Sequence, residues 1–261
     1  MAEAMHLLLD LGNTSVKWAA ATADGSLVRT GRIPYPASGG AAATAEALGR
    51  AWPGAVAPGR IDLVSVCDPA WQQCLEARLD ALWAVPQHRL RSTAVAAGVR
   101  SGYRRPAELG ADRWAALIGA RHLVAPAGAC ILDCGTAITV DGIDQEGCHL
   151  GGAIFPGPRL LLDALAQGTA ALPELAPGVA ASVPGDSTEA GMASGVAVGT
   201  AGAARALTEQ VLAACPPGAR RILTGGGAGR LHEALGPEWE HRPHLVLEGV
   251  AAWARWRDSL G

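Results

Sequence analysis

The chain moves between short apolar runs of strand length and longer segments with helical periodicity, and that order occurs twice. HLLLDLG, VKWAAAT and LVRTGRI read as three short strands, with the turn ADG (Ala23–Gly25) between the last two. A helix over about Thr44–Trp52 follows, then the strand IDLVSVC and a helix over Pro69–Trp83. In the second half ACILDCG, AITVDGI and HLGGAIF are again three strands, with DQEG (Asp144–Gly147) as a tight turn. Helices recur over Pro158–Gln167, Glu189–Ala214 and Gly249–Leu260, with the strand RRILTGG between the last two.

The repetition is metrical as well as chemical. LLLDLGNTSVKWA (Leu7–Ala19) and ILDCGTAITVDG (Ile131–Gly142) are both apolar runs that end in Asp-x-Gly and restart as a second apolar segment. Asp10 precedes Asp24 in the following turn by fourteen positions, and Asp133 precedes Glu146 by thirteen. Two halves that open alike and continue in helix–strand alternation predict a duplicated α/β protein. The boundary falls near Arg121–Gly128, where the Pro and Gly of LVAPAG break the helix that starts after Asp112, so the halves are 1–122 and 123–261.

Composition narrows the chemistry. At 261 residues, 49% apolar and 17% charged, the chain can bury a sizeable core and is not a disordered segment. A net charge of −3 supplies no basic face for nucleic acid. The apolar run in MAEAMHLLLDLG is too short for a secretory signal and is interrupted by Asp10, and no stretch approaches the ~20 apolar residues of a membrane span. The six cysteines form no CxxC pair, and neither they nor the seven histidines show ligand spacing. The expectation is a cytoplasmic protein with reduced thiols. The eight tryptophans, Trp253 and Trp256 among them, read as core or interface residues.

Function must come from the hairpins. In DLGNTSVKW, Gly12 lets the backbone turn tightly with its amides exposed, and these, with Asn13 and Thr14, can bind phosphate oxygens. Lys17 adds a point charge on the next strand, and Asp10 can hold Mg2+ through water. The bland alternative is a hairpin in which Asp10 and Asn13 only satisfy turn amides. The second copy, DCGTAIT, shifts the balance, because two such loops facing each other would grip a polyphosphate from both sides. A glycine cluster, LTGGGAG (Leu223–Gly229), lies between a strand and a helix over about Arg230–Leu235, and would let a flat ring such as adenine approach the backbone. Asp112 precedes an apolar-periodic helix carrying Trp114, Leu117 and Ile118, which makes it an expected N-cap.

These motifs resemble a known family. The duplicated hairpins are similar to the nucleotide-binding superfamily of sugar kinases, actin and heat-shock chaperones. Within it, DLGNT (Asp10–Thr14), GADR (Gly110–Arg113), DCGTA (Asp133–Ala137), GGAIFPG (Gly151–Gly157) and TGGG (Thr224–Gly227) resemble the type III pantothenate kinases, or Bvg accessory factor family, in order and approximate spacing. The resemblance implies two ribonuclease H-like (actin-like ATPase) domains, each a mixed β-sheet that opens with β-hairpins and is flanked by helices. It implies phosphorylation of pantothenate by ATP with Mg2+, the first step towards coenzyme A.

Residue by residue, the resemblance makes Asp112 the general base, with Tyr103, Gly110, Ala111 and Arg113 lining the pantothenate site. Asp10, Leu11, Gly12, Asn13, Thr14, Ser15, Val16 and Lys17 would form the first phosphate loop, and Thr136 would contact phosphate from the second. Gly225 and Gly226 fall in the nucleotide-binding glycine motif, and Asp133 matches the position of a monovalent cation, K+ or NH4+. Thr188 matches a threonine that contacts pantothenate, although this chain has Ser187-Thr188 where the family more often has Asn-Thr. A homodimer is implied as well. Two other functions compete with this reading: a nucleotide-binding transcriptional accessory protein without kinase activity, and a kinase of the same fold acting on another small alcohol.

Overall fold

In a computed structural model the described residues are 5–35, 38, 40–175 and 181–261. The first four residues of the amino-terminal stretch read above, and Gly39 beside the Ala-rich helix, lie outside them. The elements in chain order are β1 (His6–Leu11), β2 (Ser15–Ala21), β3 (Leu27–Pro34), α1 (Gly40–Ala51), β4 (Ile61–Ser65), α2 (Pro69–Trp83), β5 (Gln87–Arg89), β6 (Val95–Ala96), β7 (Val99–Arg100) and α3 (Ala111–Val124). They continue with β8 (Ala129–Cys134), β9 (Ala137–Ile143), β10 (His149–Pro156), α4 (Pro158–Gly168), α5 (Thr188–Ala214), β11 (Arg220–Thr224), α6 (Ala228–Leu235), β12 (Glu240–His241) and α7 (Leu245–Asp258). No helix of the described residues is long and apolar enough to cross a membrane.

The chain divides into two compact units. One comprises Met1–Pro126, Glu146–His149 and His244–Gly261, the other Ala127–Gln145 and Leu150–Pro243. Each is built on a five-stranded sheet, and the strand orders correspond: β3-β2-β1-β4-β5 in the first, β10-β9-β8-β11-β12 in the second. In both, the opening strand pairs antiparallel with its hairpin partner and parallel with the strand that returns after a helix. The duplication read from the sequence is therefore a duplication of topology.

Register fixes the equivalence to the residue. Asp10 lies opposite Lys17 on β2 and Val64 on β4, while Asp133 lies opposite Thr139 on β9 and Thr224 on β11. Asp10 and Asp133 thus hold the same place in the two sheets, and the first hairpin loop is one residue longer.

β1 and β8 read as nearly unbroken apolar runs because they are central strands. Leu7, Leu9 and Leu11 of β1 pack with Leu48 of α1 and with Leu75 and Leu79 of α2. The helix pair α3 and α7 packs against β4. Their backbones approach closely: a Cβ at Gly249 would run into the Ala115 carbonyl, and one at Gly119 would sit 2.5 Å from the Leu245 oxygen. This contact, together with ion pairs from Arg257 to the buried Asp62 (2.7 Å) and from Asp258 to Arg60 (2.6 Å), places the C-terminal helix in the first unit. A single cut at residue 122 would leave it with the second. In that second unit Leu132, Val140 and Leu223 from the sheet pack with Ala204 of α5 and Leu231 of α6.

The helix over Pro69–Trp83 forms with the bounds read from the sequence. Asp68 caps it by accepting the Trp71 amide at 2.9 Å, and proline fills the first turn. The last helix starts earlier than expected, at Leu245, and α6 starts at Ala228. The short strands β5, β6, β7 and β12 were not foreseen. Runs of two or three residues carry no periodicity, and these gain their status from the neighbours they pair with.

Candidate active site

The first loop joins β1 to β2 through Gly12–Ser15. Gly12 N–H donates to the Ser15 carbonyl at 3.2 Å, and Asn13 and Thr14 are exposed. Gly12 is not there for a left-handed backbone. Among the described residues the positive-φ glycines include neither Gly12 nor Gly135, its counterpart in the second loop. A Cβ would meet only Ser15 O at 3.3 Å and Ala137 O at 3.4 Å respectively, a tight fit but not a collision. The conformational freedom expected of Gly12 from the sequence is therefore not used, and its counterpart Gly135 does not use it either. Little within the fold itself demands a glycine there, whereas a ligand drawn close to the backbone would.

Asp10 stands below this loop, 5% exposed, with Lys17 Nζ 3.4 Å from its Oδ2. Burial pushes its pKa up; Lys17 opposes the rise and the like charge of Asp112 adds to it. DLGNT and GADR, about a hundred residues apart in sequence, are thus electrostatic neighbours in one unit.

Asp112 is not the N-cap of α3, as its sequence context had suggested. Gly110 takes that position and Asp112 lies in the first turn. Its Oδ1 accepts the Arg113 amide at 2.7 Å, so the carboxylate is held over the helix start, where the backbone amides favour negative charge. A Cβ at Gly110 would come within 2.9 Å of that oxygen, so the glycine leaves room for the carboxylate. Arg113 is buried, donates from Nη1 to the Tyr103 hydroxyl at 2.9 Å, and sits 5.6 Å from the Tyr103 ring centroid. Tyr103 in turn stacks on buried His149, with ring centroids 5.6 Å apart. His149 was not foreseen, because a ring contact between residues far apart in the chain leaves no local pattern.

In the second unit three glycine-bearing motifs meet on one loop. Gly157, which ends GGAIFPG, donates its N–H to Thr136 O at 3.0 Å, and Gly227 of TGGG donates to Cys134 O at 2.8 Å. A Cβ at Gly157 would strike Thr136 O and come 2.8 Å from Gly135 O. Gly225, at φ +93°, lies against Asp133 and Cys134. The chain's own packing is thus enough to require the glycine at 225. Burial, with Asp133 adding, pushes the Cys134 thiol up to about 12, which keeps it a neutral core group. Asp133 is half-buried, and Gly226 is exposed beside it in the chain. Thr188 is exposed at the first position of α5, next to the capping Ser187, which accepts the Ala190 amide at 3.1 Å.

Among the described residues no group of three or more His, Cys, Asp or Glu is placed to hold a metal ion. Mg2+ does not require one, since it is usually held by one or two carboxylates, waters and substrate phosphates. Asp10, buried and pressed by the charge of Asp112, fits a role of that kind.

Residues 6–210 match the family described as type III pantothenate kinase. The type III pantothenate kinase of Halorhodospira halophila is 56% identical over 251 residues, covering 96% of this chain and 98% of that protein. That of Alkalilimnicola ehrlichii is 43% identical, covering 95% and 97%. Among solved structures, the activator of the 2-hydroxyisocaproyl-CoA dehydratase from Clostridium difficile, with bound ADPNP, superposes with a TM-score of 0.56. It is 12% identical, with 98% of this chain and 96% of that chain covered, a likeness of fold alone. That fold is the duplicated ribonuclease H-like, actin-like ATPase arrangement, and the chain belongs to the type III pantothenate kinase family.

Proposed function

We infer that this chain transfers the γ-phosphoryl group of ATP to the hydroxyl of pantothenate, giving 4′-phosphopantothenate and ADP in the first step of coenzyme A synthesis. The observation that carries the reading is the geometry of Asp112: its carboxylate is held at a helix start by the Arg113 amide at 2.7 Å, beside the Arg113–Tyr103 pair and in the same unit as the first phosphate loop.

In this mechanism Asp112 accepts the hydroxyl proton as the oxygen attacks the γ-phosphorus. A positioned carboxylate serves here because phosphoryl transfer asks more for alignment and charge stabilisation than for a strong base. Arg113 and Tyr103, locked to each other and to His149, line the pantothenate site with Gly110 and Ala111, and Thr188 contributes its hydroxyl. The loop Asp10–Lys17 receives ATP phosphates on its amides and on Lys17, Thr136 receives phosphate from the second loop, and the Gly225–Gly226 segment takes the adenosine part of ATP. Mg2+, when bound, neutralises charge on the phosphates, and Asp10 would hold it through water. Asp133 is the candidate ligand of a monovalent cation, K+ or NH4+. The division of labour follows the two units, the first carrying the pantothenate segment and the first phosphate loop and the second carrying the second phosphate loop and the glycine motif, and the working form is a cytoplasmic homodimer.

The test is ADP release measured with pantothenate and with a panel of sugars, with and without K+, for the wild type and for Asp112→Ala. Turnover on pantothenate that disappears in the variant is expected. Turnover only on another alcohol, or near-normal turnover of the variant at saturating pantothenate, would sink the reading.

A further inference from the structure

We propose that Tyr35 is a positioning residue for the nucleotide: it holds the first phosphate loop in its binding conformation and thereby sets the affinity for the triphosphate. That the loop receives a triphosphate rests on the kinase reading above.

The loop does not owe its shape to its own turn. Two-residue hairpin loops usually adopt primed turns, whose positive φ values match the twist of the strands. The hairpin of β6 and β7 does so, with Ala97 at φ 47° and Gly98 at φ 78°. Neither Asn13 nor Thr14 is among the described residues with positive φ. An unprimed turn splays its strands unless something outside the loop holds them.

Tyr35, the residue after β3, supplies that hold twice over. Its backbone N–H donates to Thr14 O at 3.1 Å, and its phenol donates to Gly12 O at 2.7 Å. The ring is anchored against Trp71, with centroids 4.4 Å apart. Burial raises the phenol pKa, so the group remains a donor at physiological pH. Because a trans peptide is planar with its C=O and N–H opposed, fixing the Gly12 and Thr14 carbonyls also fixes where the Asn13 and Ser15 amides point. Arg32 Nε, donating to Ser15 Oγ at 2.8 Å, secures the far end of the loop.

The second unit shows the same device in reduced form. Its third strand also ends in proline, Pro156 corresponding to Pro34, and the next residue, Gly157, donates its N–H to Thr136 O. The shorter loop leaves no space for a side chain, since a Cβ at Gly157 would collide with Thr136 O. In the first unit the extra loop residue opens that space, and the tyrosine uses it to reach Gly12. The phenol is an addition to a shared backbone tie, made on the loop that stands over Asp10 and Lys17.

Tyr35→Phe keeps the ring against Trp71 and removes the phenol's bond to Gly12 together with its hydrogen bond to Cys67, a contact that Cys67→Ala removes by itself as a control. Loss of the bond to Gly12 should raise the dissociation constant of Mg·ATP, measured by calorimetry without pantothenate, roughly five- to tenfold. The KM for pantothenate and the melting temperature should stay close to wild type. Tyr35→Leu, which removes the ring as well, should weaken ATP further, with Phe giving partial rescue. A Tyr35→Phe dissociation constant within twofold of wild type overturns the proposal. So does a parallel loss of stability and of both substrates, which would make Tyr35 a core residue only. If the wild type binds ATP but leaves pantothenate unphosphorylated, the kinase reading fails while the calorimetry still decides the role of Tyr35. If the wild type binds no ATP, both fail.

Discussion

Gly225→Ala adds one methyl group where the fold leaves it no place, and its effect can be built from two separate penalties. The residue sits at φ +93°, a region that L side chains avoid, and forcing alanine there costs about 1–2 kcal/mol. The added Cβ would also lie 2.6 Å from both the nitrogen and the carbonyl carbon of Cys134, and would strike the Asp133 carboxylate. Backbone atoms yield less readily than a flexible side chain, so the overpacking term belongs at the upper part of the usual 1–3 kcal/mol. Together the destabilisation is about 3–5 kcal/mol, which for a chain of this size lowers the melting temperature by roughly 10 °C. The Asp133–Ala137 loop must shift to make room, so the KM for ATP should rise as well. Gly229→Ala is an internal control from the same motif. It lies inside α6 with no heavy atom within 4 Å of its Cβ position, so alanine there should be neutral or stabilising by about 0.5–1 kcal/mol. Thermal and urea unfolding of the two variants, followed by circular dichroism, decide the matter. Equal melting temperatures would refute the view that chain packing dictates the glycine at 225.

Asp10→Asn is expected to abolish turnover yet to be more stable than wild type at neutral pH. A carboxyl with a raised folded pKa binds its proton more tightly when folded, so wild-type stability falls as pH rises from the ordinary carboxylate range through the folded value. The stability gap should therefore close on acidification towards about pH 4; urea midpoints across that range that show the opposite slope would contradict the buried-carboxylate account. Asp62→Ala strips the acceptor from two arginines, Arg60 Nε and Arg257 Nη1, each at 2.7 Å. Removing one partner of a buried pair usually costs ~3–5 kcal/mol. Both arginines keep Asp258, at 2.6 and 2.8 Å, so the lower end, about 3 kcal/mol in urea unfolding, is expected, and a loss below ~1 kcal/mol would show the network to be idle.

Most of the architecture was legible because it is written in strong local signals. The Asp-x-Gly hairpins recur at the ends of central apolar strands, and Asp68-Pro69 announces the start of α2. What the sequence concealed lies in contacts between distant residues. The placement of α7 depends on its glycine facing Ala115, and no local pattern in LVLEGVAAWARW points to that partner. Asp112 illustrates the same limit at closer range. An acidic residue ahead of an apolar-periodic helix looks like a cap, but the cap is Gly110, two residues earlier, which frees the carboxylate for another task. Gly12 and Gly225 were both read as turn or ligand glycines, and the structure separates them by what a methyl group would meet.

The same comparison explains why duplication did not leave two interchangeable halves. Asp10 and Asp133 share a register position, but Asp10 is buried opposite Lys17 whereas Asp133 is half-buried opposite Thr139, a residue with no charge to offer. A buried carboxylate beside a lysine suits a phosphate-bound divalent ion reached through water. The more open carboxylate of Asp133, opposite a threonine in register, gives the second loop a different setting. The loops diverge in step: the first gains a residue and a tyrosine tie, and the second is pressed between Gly157 and Gly225–Gly227. One ancestral hairpin thus gives two electrostatic environments. Exchanging Lys17 for threonine should move the first towards the second, weakening Mg·ATP while leaving the strand pairing at Asp10 intact.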